Sequence, residues 1–259
     1  MNEVNKTLYI PLFGKSYVSK RGIILKDKRA EEIWEKCGFA LNGKSKSKWL
    51  AYYMGMRARV FDDWLAFKIS ENADAVVLHI GCGLDSRIER VGGAKKWLDL
   101  DFPEVIEERK LYYSESESYR MIGADIRKDE WLDKIPAASC AIVVMEGVSM
   151  YLTEDELILV ISMLSDRFDR LSLLMDCYTT FATRASKIRN PINDVGVTQV
   201  YGIDDPVVIE RACVRFIKEH NMTPPHLIKE LSGMEKSVFR TAYGGKISKR
   251  LYRLYEYSK

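Results

Sequence analysis

The sequence contains no apolar run long enough to cross a membrane. Its uninterrupted apolar stretches, such as 140–145 and 157–161, are far shorter than the ~20 residues that a spanning helix needs. The first residues, MNEVNKTLYIPLFGK, also lack the basic segment, apolar stretch and small-residue cleavage site of a secretory signal. These absences predict a cytoplasmic chain without a membrane partner.

Cysteine and histidine are too few and too scattered to suggest a disulfide framework or a metal site. The five cysteines include no C-x-x-C pair, and an odd, dispersed set argues against disulfide scaffolding. His79, His220 and His226 have no cysteine or paired carboxylate at ligand spacing. We therefore expect no metal ion.

An excess of one charge is missing as well. Forty basic and 37 acidic residues leave a formal net charge of +3, which is too little for a protein that binds nucleic-acid phosphates. The 259 residues have 47% hydrophobic content and can bury a large core. The sequence favours a folded protein with a small-molecule partner and no nucleic acid, and it leaves the oligomeric state open.

Strand and helix patterns alternate from residue 75 onward. Helix signals follow the strands, including Pro103 at a first helical position and a capping box of Thr153 and Glu156. This alternation predicts a doubly wound α/β sheet. The strand patterns lie at 75–80, 95–101, 119–123, 140–145 and 171–177.

Two regions fall outside this alternation. Residues 1–73 have a mainly helical pattern, clearest at 29–37 and 49–69, and predict an N-terminal helical cap on a core of residues 74–259. Residues 178–205 have few periodic apolar positions, which predicts a long substrate-side connection. The aromatic-rich segment 251–257 suits a closing strand.

Residues suited to ligand binding end four consecutive predicted strands. Gly81 and Gly83 follow the first strand, where a missing Cβ lets the backbone approach a ligand. Asp101, Asp125 and Glu146 end the next three strands. Because ligands of open α/β sheets bind at the carboxyl ends of the strands, these residues predict one shared site.

Asp101 is placed to bind the ribose of an adenosine-containing ligand. It lies 18 residues after Gly83, where a carboxylate accepts hydrogen bonds from ribose hydroxyls. Asp99, two residues earlier on the same strand face, is the competing candidate and is expected inside the sheet. The third glycine of a dinucleotide motif is absent, which argues against a nicotinamide cofactor.

Several ordered segments resemble the leucine carboxyl methyltransferase family. They are VLHIGCGLDSR at 77–87, WLDLDFPEVI at 97–106 and EGVSMYL at 146–152. TLYIPL at 7–12 and RARVFDD at 57–63 resemble its bacterial branch, the tetracenomycin-type polyketide O-methyltransferases. The resemblance runs over nearly the whole chain.

This resemblance implies an S-adenosylmethionine-dependent O-methyltransferase of class I, with S-adenosylhomocysteine as product. The implied fold is a Rossmann-like sheet of seven strands, with the last strand antiparallel and the sixth at 213–222. The implied acceptor is a carboxylate or hydroxyl of a small molecule, polyketide-like or another secondary metabolite. A carboxyl methyltransferase of protein C-termini and a non-catalytic cofactor-binding protein remain as alternatives.

The resemblance also implies roles for the cofactor-binding residues. Gly81 and Gly83 would pass under the methionine part of the cofactor, and Asp101 would bind the ribose. Asp125 and the Ile126 backbone would contact the adenine.

At the methionine end, the resemblance implies contacts with charged groups. Glu146 would face the methionine ammonium, and Arg59 would pair with the methionine carboxylate. Lys15 would assist Arg59, although the bacterial branch usually has Arg-Ala where this chain has Lys15-Ser16.

No histidine lies at a matching strand end, which bears on the acceptor. Methyl transfer requires an oxygen nucleophile held close to the methyl carbon, and a carboxylate is already ionised, whereas a phenol benefits from a base. We therefore expect a carboxylate or an acidic hydroxyl as acceptor, with Tyr151 and Arg59 near the transfer centre.

The acceptor pocket is predicted from the first 70 residues and from the 178–205 connection. These segments are expected to supply aromatic walls and a cation. The candidates are Tyr52, Tyr53, Tyr178, Arg184 and Tyr201.

Overall fold

A seven-stranded sheet lies at the centre of the computed structural model, which describes residues 6–186 and 199–259. The strands run in the order β3-β2-β1-β4-β5-β7-β6 across the sheet. Strands β1 to β5 are parallel, and β7 is antiparallel to β5 and β6. In chain order they are β1 Val76–Ile80, β2 Lys96–Asp101, β3 Tyr119–Gly123, β4 Cys140–Met145, β5 Arg170–Tyr178, β6 Arg215–His220 and β7 Tyr252–Ser258. The predicted doubly wound sheet with an antiparallel last strand is confirmed.

Helices precede the first strand, alternate with the parallel strands and separate β6 from β7 in the chain. The cap consists of α1 Tyr9–Lys20, α2 Lys28–Lys36 and α3 Lys48–Glu71. Helices α4 Arg87–Val91, α5 Pro103–Arg109, α6 Glu154–Arg167 and α7 Thr180–Ser186 follow strands β1, β2, β4 and β5. Between β6 and β7 lie α8 Pro225–Ile228, α9 Gly233–Tyr243 and α10 Gly245–Leu251. Short 3-10 helices occur at Gly43–Lys46, Leu132–Lys134, Ser149–Tyr151 and Pro206–Ala212.

The two faces of the sheet are covered by different helices. Along β1, Val77 belongs to the hydrophobic cluster that includes Phe61 of the cap. Leu78 faces the other way and joins Leu157 and Ile161 of α6. This alternation follows from the two-residue period of a strand, and it explains why β1 is apolar at nearly every position. The cap therefore packs directly on one face of the sheet.

Local sequence signals begin the helices that follow β2 and β4. Pro103 occupies the first turn of α5, where its missing N–H breaks no helical hydrogen bond. Before α6, the Thr153 hydroxyl accepts from the Glu156 amide and the Glu156 carboxylate accepts from the Thr153 amide. The capping box expected from the sequence is thus present.

The predicted 178–205 connection begins with regular structure. Strand β5 reaches Tyr178, and the Thr179 hydroxyl accepts a hydrogen bond from the Ala182 amide at the start of α7. This hydrogen bond at the N-terminus of α7 begins a helix of seven residues, where the sequence showed little periodicity. Residues 187–198 of the predicted connection lie outside the described residues.

A search of the described helices for a segment both long and apolar enough to span a bilayer finds none.

Candidate functional site

A cavity of about 800 Å³ opens at the carboxyl ends of β1, β2 and β4. The cap and the helices between β6 and β7 enclose it from the other side. Of the residues predicted for the cofactor and the transfer centre, all but Arg59 line it: Lys15, Gly81, Gly83, Asp101, Asp125, Ile126, Glu146 and Tyr151. The topology brings them together because parallel strands end at the same edge of the sheet.

The glycine turn after β1 passes close to the segment after β4. Gly81 has φ +69°, and a Cβ placed there would lie 2.1 Å from Val148 Cγ2. Only glycine fits both that conformation and that space. The turn therefore presents bare backbone to the cavity.

Asp101 is held at the end of β2 by two backbone amides. The Gly83 and Phe102 amides each donate to its carboxylate over 2.8 Å. Burial raises the pKa of Asp101 to about 6, although both amide hydrogen bonds oppose the rise. Its protonation therefore changes just below neutral pH.

Asp99, the competing candidate, lies inside the sheet and not at the cavity. Its carboxylate accepts from Trp97 Nε1 over 2.8 Å, from the Tyr119 hydroxyl over 2.6 Å, and from Arg109. Burial opposes ionisation of Asp99, but Arg109 and a hydrogen bond from His79 hold its pKa at about 2. Asp99 thus stabilises the packing of the strands, whereas Asp101 lines the cavity.

A buried group of charges surrounds Glu146 at the end of β4. Arg57 Nη2 lies 2.9 Å from Glu146 Oε1, Lys15 Nζ lies 3.7 Å from the same oxygen, and Arg87 donates to Oε2. Lys15 Nζ also lies 2.8 Å from Asp85 Oδ2. Burial opposes ionisation of Glu146, but the three cations hold its pKa well below the usual range. This part of the cavity presents both signs of charge.

Arg59 does not reach the cavity. Its Nε lies 2.8 Å from Asp63 Oδ1, its Nη1 donates to the Ile24 carbonyl, and 41% of its side chain is exposed. Residues two apart on a helix point in different directions, because each residue turns the helix by ~100°. The prediction that Arg59 lies at the methionine end or near the transfer centre is corrected on this geometry.

Arg57, which the sequence interpretation missed, lines the cavity in its place. Its Nη1 lies 2.9 Å from Asp176 Oδ2 and 3.2 Å from the Tyr252 hydroxyl. The helical spacing of Arg57 from Leu50 and Tyr53 is the signal that distinguishes it from Arg59.

The predicted acceptor residues divide into two groups. Tyr53 and Tyr178 line the cavity. Tyr52 instead donates to Glu235 over 2.7 Å, Arg184 is exposed, and the Tyr201 hydroxyl accepts from Gln199. The prediction that these three residues form cavity walls is wrong, because their side chains face other elements or solvent.

The insertion between β6 and β7 supplies walls that the sequence interpretation did not foresee. Tyr243 at the end of α9 and Leu251 at the end of α10 both line the cavity. Tyr243 stacks on Phe239 with ring centroids 5.2 Å apart, which fixes its position. Tyr178, Ala182 and Ala185 of the predicted connection line the cavity too, so both segments contribute to its walls.

His79 lines the cavity but has no free nitrogen. Its Nδ1 lies 3.2 Å from Asp99 Oδ1, and its Nε2 lies 3.0 Å from Arg87 Nη1. Since a guanidinium can only donate, Nε2 accepts and the proton resides on Nδ1. Burial also lowers the pKa of His79. His79 cannot take a proton from an acceptor without losing its contact with Arg87.

The acidic side chains of the lining are similarly engaged. Asp85 pairs with Lys15, and Asp125 pairs with Arg127 over 2.6 Å. Burial raises the pKa of the Tyr151 hydroxyl, which keeps it a neutral phenol. Within 6–186 and 199–259, the cavity walls offer no uncommitted general base, and no cluster of three or more His, Cys, Asp or Glu side chains could hold a metal ion.

The fold matches that of known methyltransferase structures. Magnesium protoporphyrin IX methyltransferase from Synechocystis PCC 6803, solved with bound S-adenosylhomocysteine, superposes with a TM-score of 0.52 at 13% identity. The match covers 96% of this chain and 99% of that one. This likeness shows the fold, which is that of the class I methyltransferases.

Sequence comparison specifies the family. The model for leucine carboxyl methyltransferase matches residues 9–165. The tetracenomycin polyketide synthesis O-methyltransferase TcmP of Streptomyces glaucescens is 31% identical over 219 residues, covering 83% of this chain and 81% of that protein. An S-adenosyl-L-methionine-dependent methyltransferase of Gibberella zeae, dpfgK, is 30% identical over 135 residues, 48% of this chain and 45% of that protein. The chain belongs to the leucine carboxyl methyltransferase family.

Proposed function

We propose that this enzyme transfers the methyl group of S-adenosylmethionine to a carboxylate oxygen of a small, largely apolar molecule. One observation carries the proposal: the described lining joins a charged strand-end site to an aromatic chamber and provides no uncommitted base. An acceptor that is already ionised needs none. The naming of TcmP as a polyketide-synthesis O-methyltransferase supports a polyketide-like small molecule as the acceptor.

The charges along the cavity support one orientation of the cofactor. The carboxylate of Asp101 would accept from the ribose hydroxyls, with the adenine beyond it at Asp125 and Ile126. Lys15 and Arg57 offer cations to the methionine carboxylate, and ionised Glu146 offers an acceptor to the ammonium. The bare backbone of the glycine turn leaves room for the part of the cofactor that joins the ribose to the methionine carboxylate.

When bound, S-adenosylmethionine supplies an electrophilic methyl group. The carboxylate oxygen forms the new O–CH3 bond as the S–CH3 bond breaks, and that electron pair remains on sulfur. The products are a methyl ester and a neutral thioether, and no proton is released. The protein's contribution is to hold the oxygen in line with the methyl group and to exclude water.

Two cavity tyrosines suit these positioning tasks. The neutral hydroxyl of Tyr151 can donate a hydrogen bond to the acceptor but cannot act as a base at neutral pH. Tyr53 is fixed by a 3.0 Å hydrogen bond between its hydroxyl and Ser248 Oγ, so its ring forms a rigid wall. We assign both residues to orientation of the acceptor.

The first experiment measures cofactor binding by calorimetric titration with S-adenosylhomocysteine, with NADH as the control ligand. We expect micromolar binding of the former alone. The second incubates the protein with methyl-labelled cofactor and matched aromatic carboxylic acids and phenols. Methyl esters release methanol in mild alkali, whereas aryl methyl ethers do not, so alkali treatment identifies the methylated oxygen.

The two measurements separate the parts of the proposal. Alkali-labile label from the acids supports carboxyl transfer. Alkali-stable label from the phenols would replace the carboxylate with a hydroxyl acceptor while retaining methyl transfer. Binding of S-adenosylhomocysteine without transfer to either class would favour a cofactor-binding protein without turnover.

A further inference from the structure

One face of α3 forms a continuous wall of the cavity. Ser47, at the helix N-cap, is followed along this wall by Leu50, Tyr53, Met54 and Arg57. This is the spacing of residues on a single helical face. Ten residues separate Ser47 from Arg57, which corresponds to ~15 Å along the helix axis at 1.5 Å per residue. The wall therefore runs from the charged group around Glu146 to the first turn of α3.

Lys44 lies at the far end of this wall. It belongs to the 3-10 helix Gly43–Lys46 that precedes α3, and it lines the cavity with an exposed side chain. Its neighbour Lys48 differs, since Lys48 Nζ is paired with Glu235 over 2.9 Å. Lys44 thus lies at the mouth of the cavity, where the cavity meets solvent.

The cations along the cavity differ in whether their charge is neutralised. Arg57 and Lys15 pair with buried carboxylates, and Arg127 pairs with Asp125. Lys44 is the lining cation with no ion pair in the described parts of the chain, 6–186 and 199–259. The two ends of the cavity therefore differ: one holds a balanced, buried group of charges, and the other presents an uncompensated positive charge.

The wall between these ends is apolar and aromatic. Leu50 and Tyr53 on α3 share the cavity with Tyr243 and Leu251 of the β6–β7 insertion. Rings packed in such a chamber favour stacking on flat aromatic ligands. A ligand that fills its length would place one end near the glycine turn and the other near Lys44.

We propose that Lys44 recognises a second acidic group of the acceptor, at the end opposite to the carboxylate that is methylated. The acceptor class is then an elongated aromatic molecule with two anionic ends. This inference rests on the proposed carboxyl methyl transfer and adds to it a specificity-determining residue. The methylated end loses its charge in the reaction, whereas the end at Lys44 retains it.

The test uses biphenyl-4,4′-dicarboxylic acid and biphenyl-4-carboxylic acid as probes, which differ only in the second acid. Methyl transfer and binding to the S-adenosylhomocysteine-loaded protein are measured for both probes. The variants are Lys44→Gln, Lys44→Arg and Lys46→Gln. Lys46 is an exposed lysine of the same 3-10 helix that does not line the cavity, so it controls for a change in local net charge.

After correction for the two equivalent carboxylates of the diacid, we expect the unaltered enzyme to prefer it by about threefold to fivefold in kcat/KM, as suits an ion pair near solvent. The preference should appear in KM and weaken with added salt, because exposed charges are screened. Lys44→Gln should abolish this preference for the diacid, whereas Lys44→Arg and Lys46→Gln should retain it. A positioning effect on chemistry would instead alter kcat for both probes together.

Three outcomes would overturn the inference. They are equal use of the two acids by the unaltered enzyme, a retained preference in Lys44→Gln, and failure of the loaded protein to bind either probe. In the last case the cofactor titration still stands, so the cofactor assignment survives. Binding of the diacid through Lys44 without any transfer would support the recognition role and contradict carboxyl transfer instead.

Discussion

Arg57 Nη2 of the cap lies 2.9 Å from Oε1 of Glu146, the residue that follows strand β4. Both side chains are buried, and the same guanidinium reaches Asp176 on β5. The cap therefore supplies part of the charge that holds Glu146 ionised. In the proposed site, this contact would link cofactor binding to the packing of the cap on the sheet.

The two arginines of α3 offer a matched pair of variants. Arg57→Lys keeps a positive charge but loses the planar guanidinium that contacts Glu146 and Asp176 at once. We expect its affinity for S-adenosylhomocysteine to fall by about tenfold or more, a loss typical of a charged hydrogen bond. Affinity for adenosine should be nearly unchanged, because adenosine lacks the methionine end. Calorimetry measures both.

Arg59→Lys is the control, since Arg59 contacts Asp63 and solvent. We expect its affinity to match that of the unaltered protein. Thermal melting of both variants shows whether the fold is retained. Equal losses for Arg57→Lys and Arg59→Lys, or an equal loss for adenosine, would contradict the assignment of Arg57 to the methionine carboxylate.

Asp101→Asn tests the ribose contact. The substitution preserves shape but removes the charge, so hydrogen bonds from the ribose hydroxyls become weaker. We expect binding of S-adenosylhomocysteine and of adenosine to weaken by about 1 to 3 kcal/mol. Asp129→Asn, at an exposed position away from the cavity, should change neither affinity. Unaltered binding by Asp101→Asn would remove Asp101 from the site.

The raised pKa of Asp101 predicts a pH-dependent affinity. The ionised carboxylate accepts from two hydroxyls, whereas the protonated form has lost acceptor strength. Because burial raises the pKa of Asp101 to about 6, affinity should be on a plateau above that pH and fall as the pH drops through it. Titrations between about pH 5 and about pH 8 measure this change.

The same titrations on Asp101→Asn identify the group responsible. We expect that variant to show a flatter profile over the same range. A full pH dependence in Asp101→Asn would assign the titration to a different residue. Circular dichroism at each pH shows that the protein remains folded.

Gly81→Ala tests the close approach between the turn after β1 and Val148. Gly93 is the matched control, because it also has positive φ but a Cβ there would have its nearest neighbour 3.7 Å away, at Ile69. Both alanine variants should lose about 1 kcal/mol to the unfavourable φ. Gly81→Ala should lose a further 1 kcal/mol or more to the contact with Val148, as is typical of overpacking.

Denaturant unfolding measures these losses in free energy. The double variant Gly81→Ala with Val148→Ala removes the Cγ2 atom from the contact and should recover part of the difference from Gly93→Ala. If Gly81→Ala and Gly93→Ala are equally stable, the close approach has no energetic consequence. Cofactor binding should weaken only in the variants at Gly81.

Much of the strand-end site was predictable from the sequence alone. Strand patterns indicated β1 to β5, and the residue that follows each strand can be read directly from the sequence. Parallel strands then place Gly81, Asp101 and Glu146 at one edge whatever the details of packing. The distinction between Asp99 and Asp101 also follows, because one lies within β2 and the other at its end.

The contribution of the cap was harder to predict. The segment RARVFDD places two arginines on one helix. The rotation of α3 about its own axis decides which of the two faces the sheet. That rotation is set by which side chains pack into the core, and resemblance alone did not distinguish Arg57 from Arg59. The walls at Tyr243 and Leu251 come from an insertion about 190 residues away from α3 in the chain, a separation that no local pattern reports.

The sequence by itself determined the doubly wound sheet, the strand-end glycines and acids, and the family. These depend on periodicities of two and 3.6 residues and on short ordered segments, which are properties of neighbouring residues. Tertiary structure alone decided that Arg57 faces Glu146, that His79 is occupied by Asp99 and Arg87, and that Lys44 lies at the mouth of the cavity. Each of these depends on how elements distant in the chain pack, because charge, hydrogen-bond partners and access to solvent are set there.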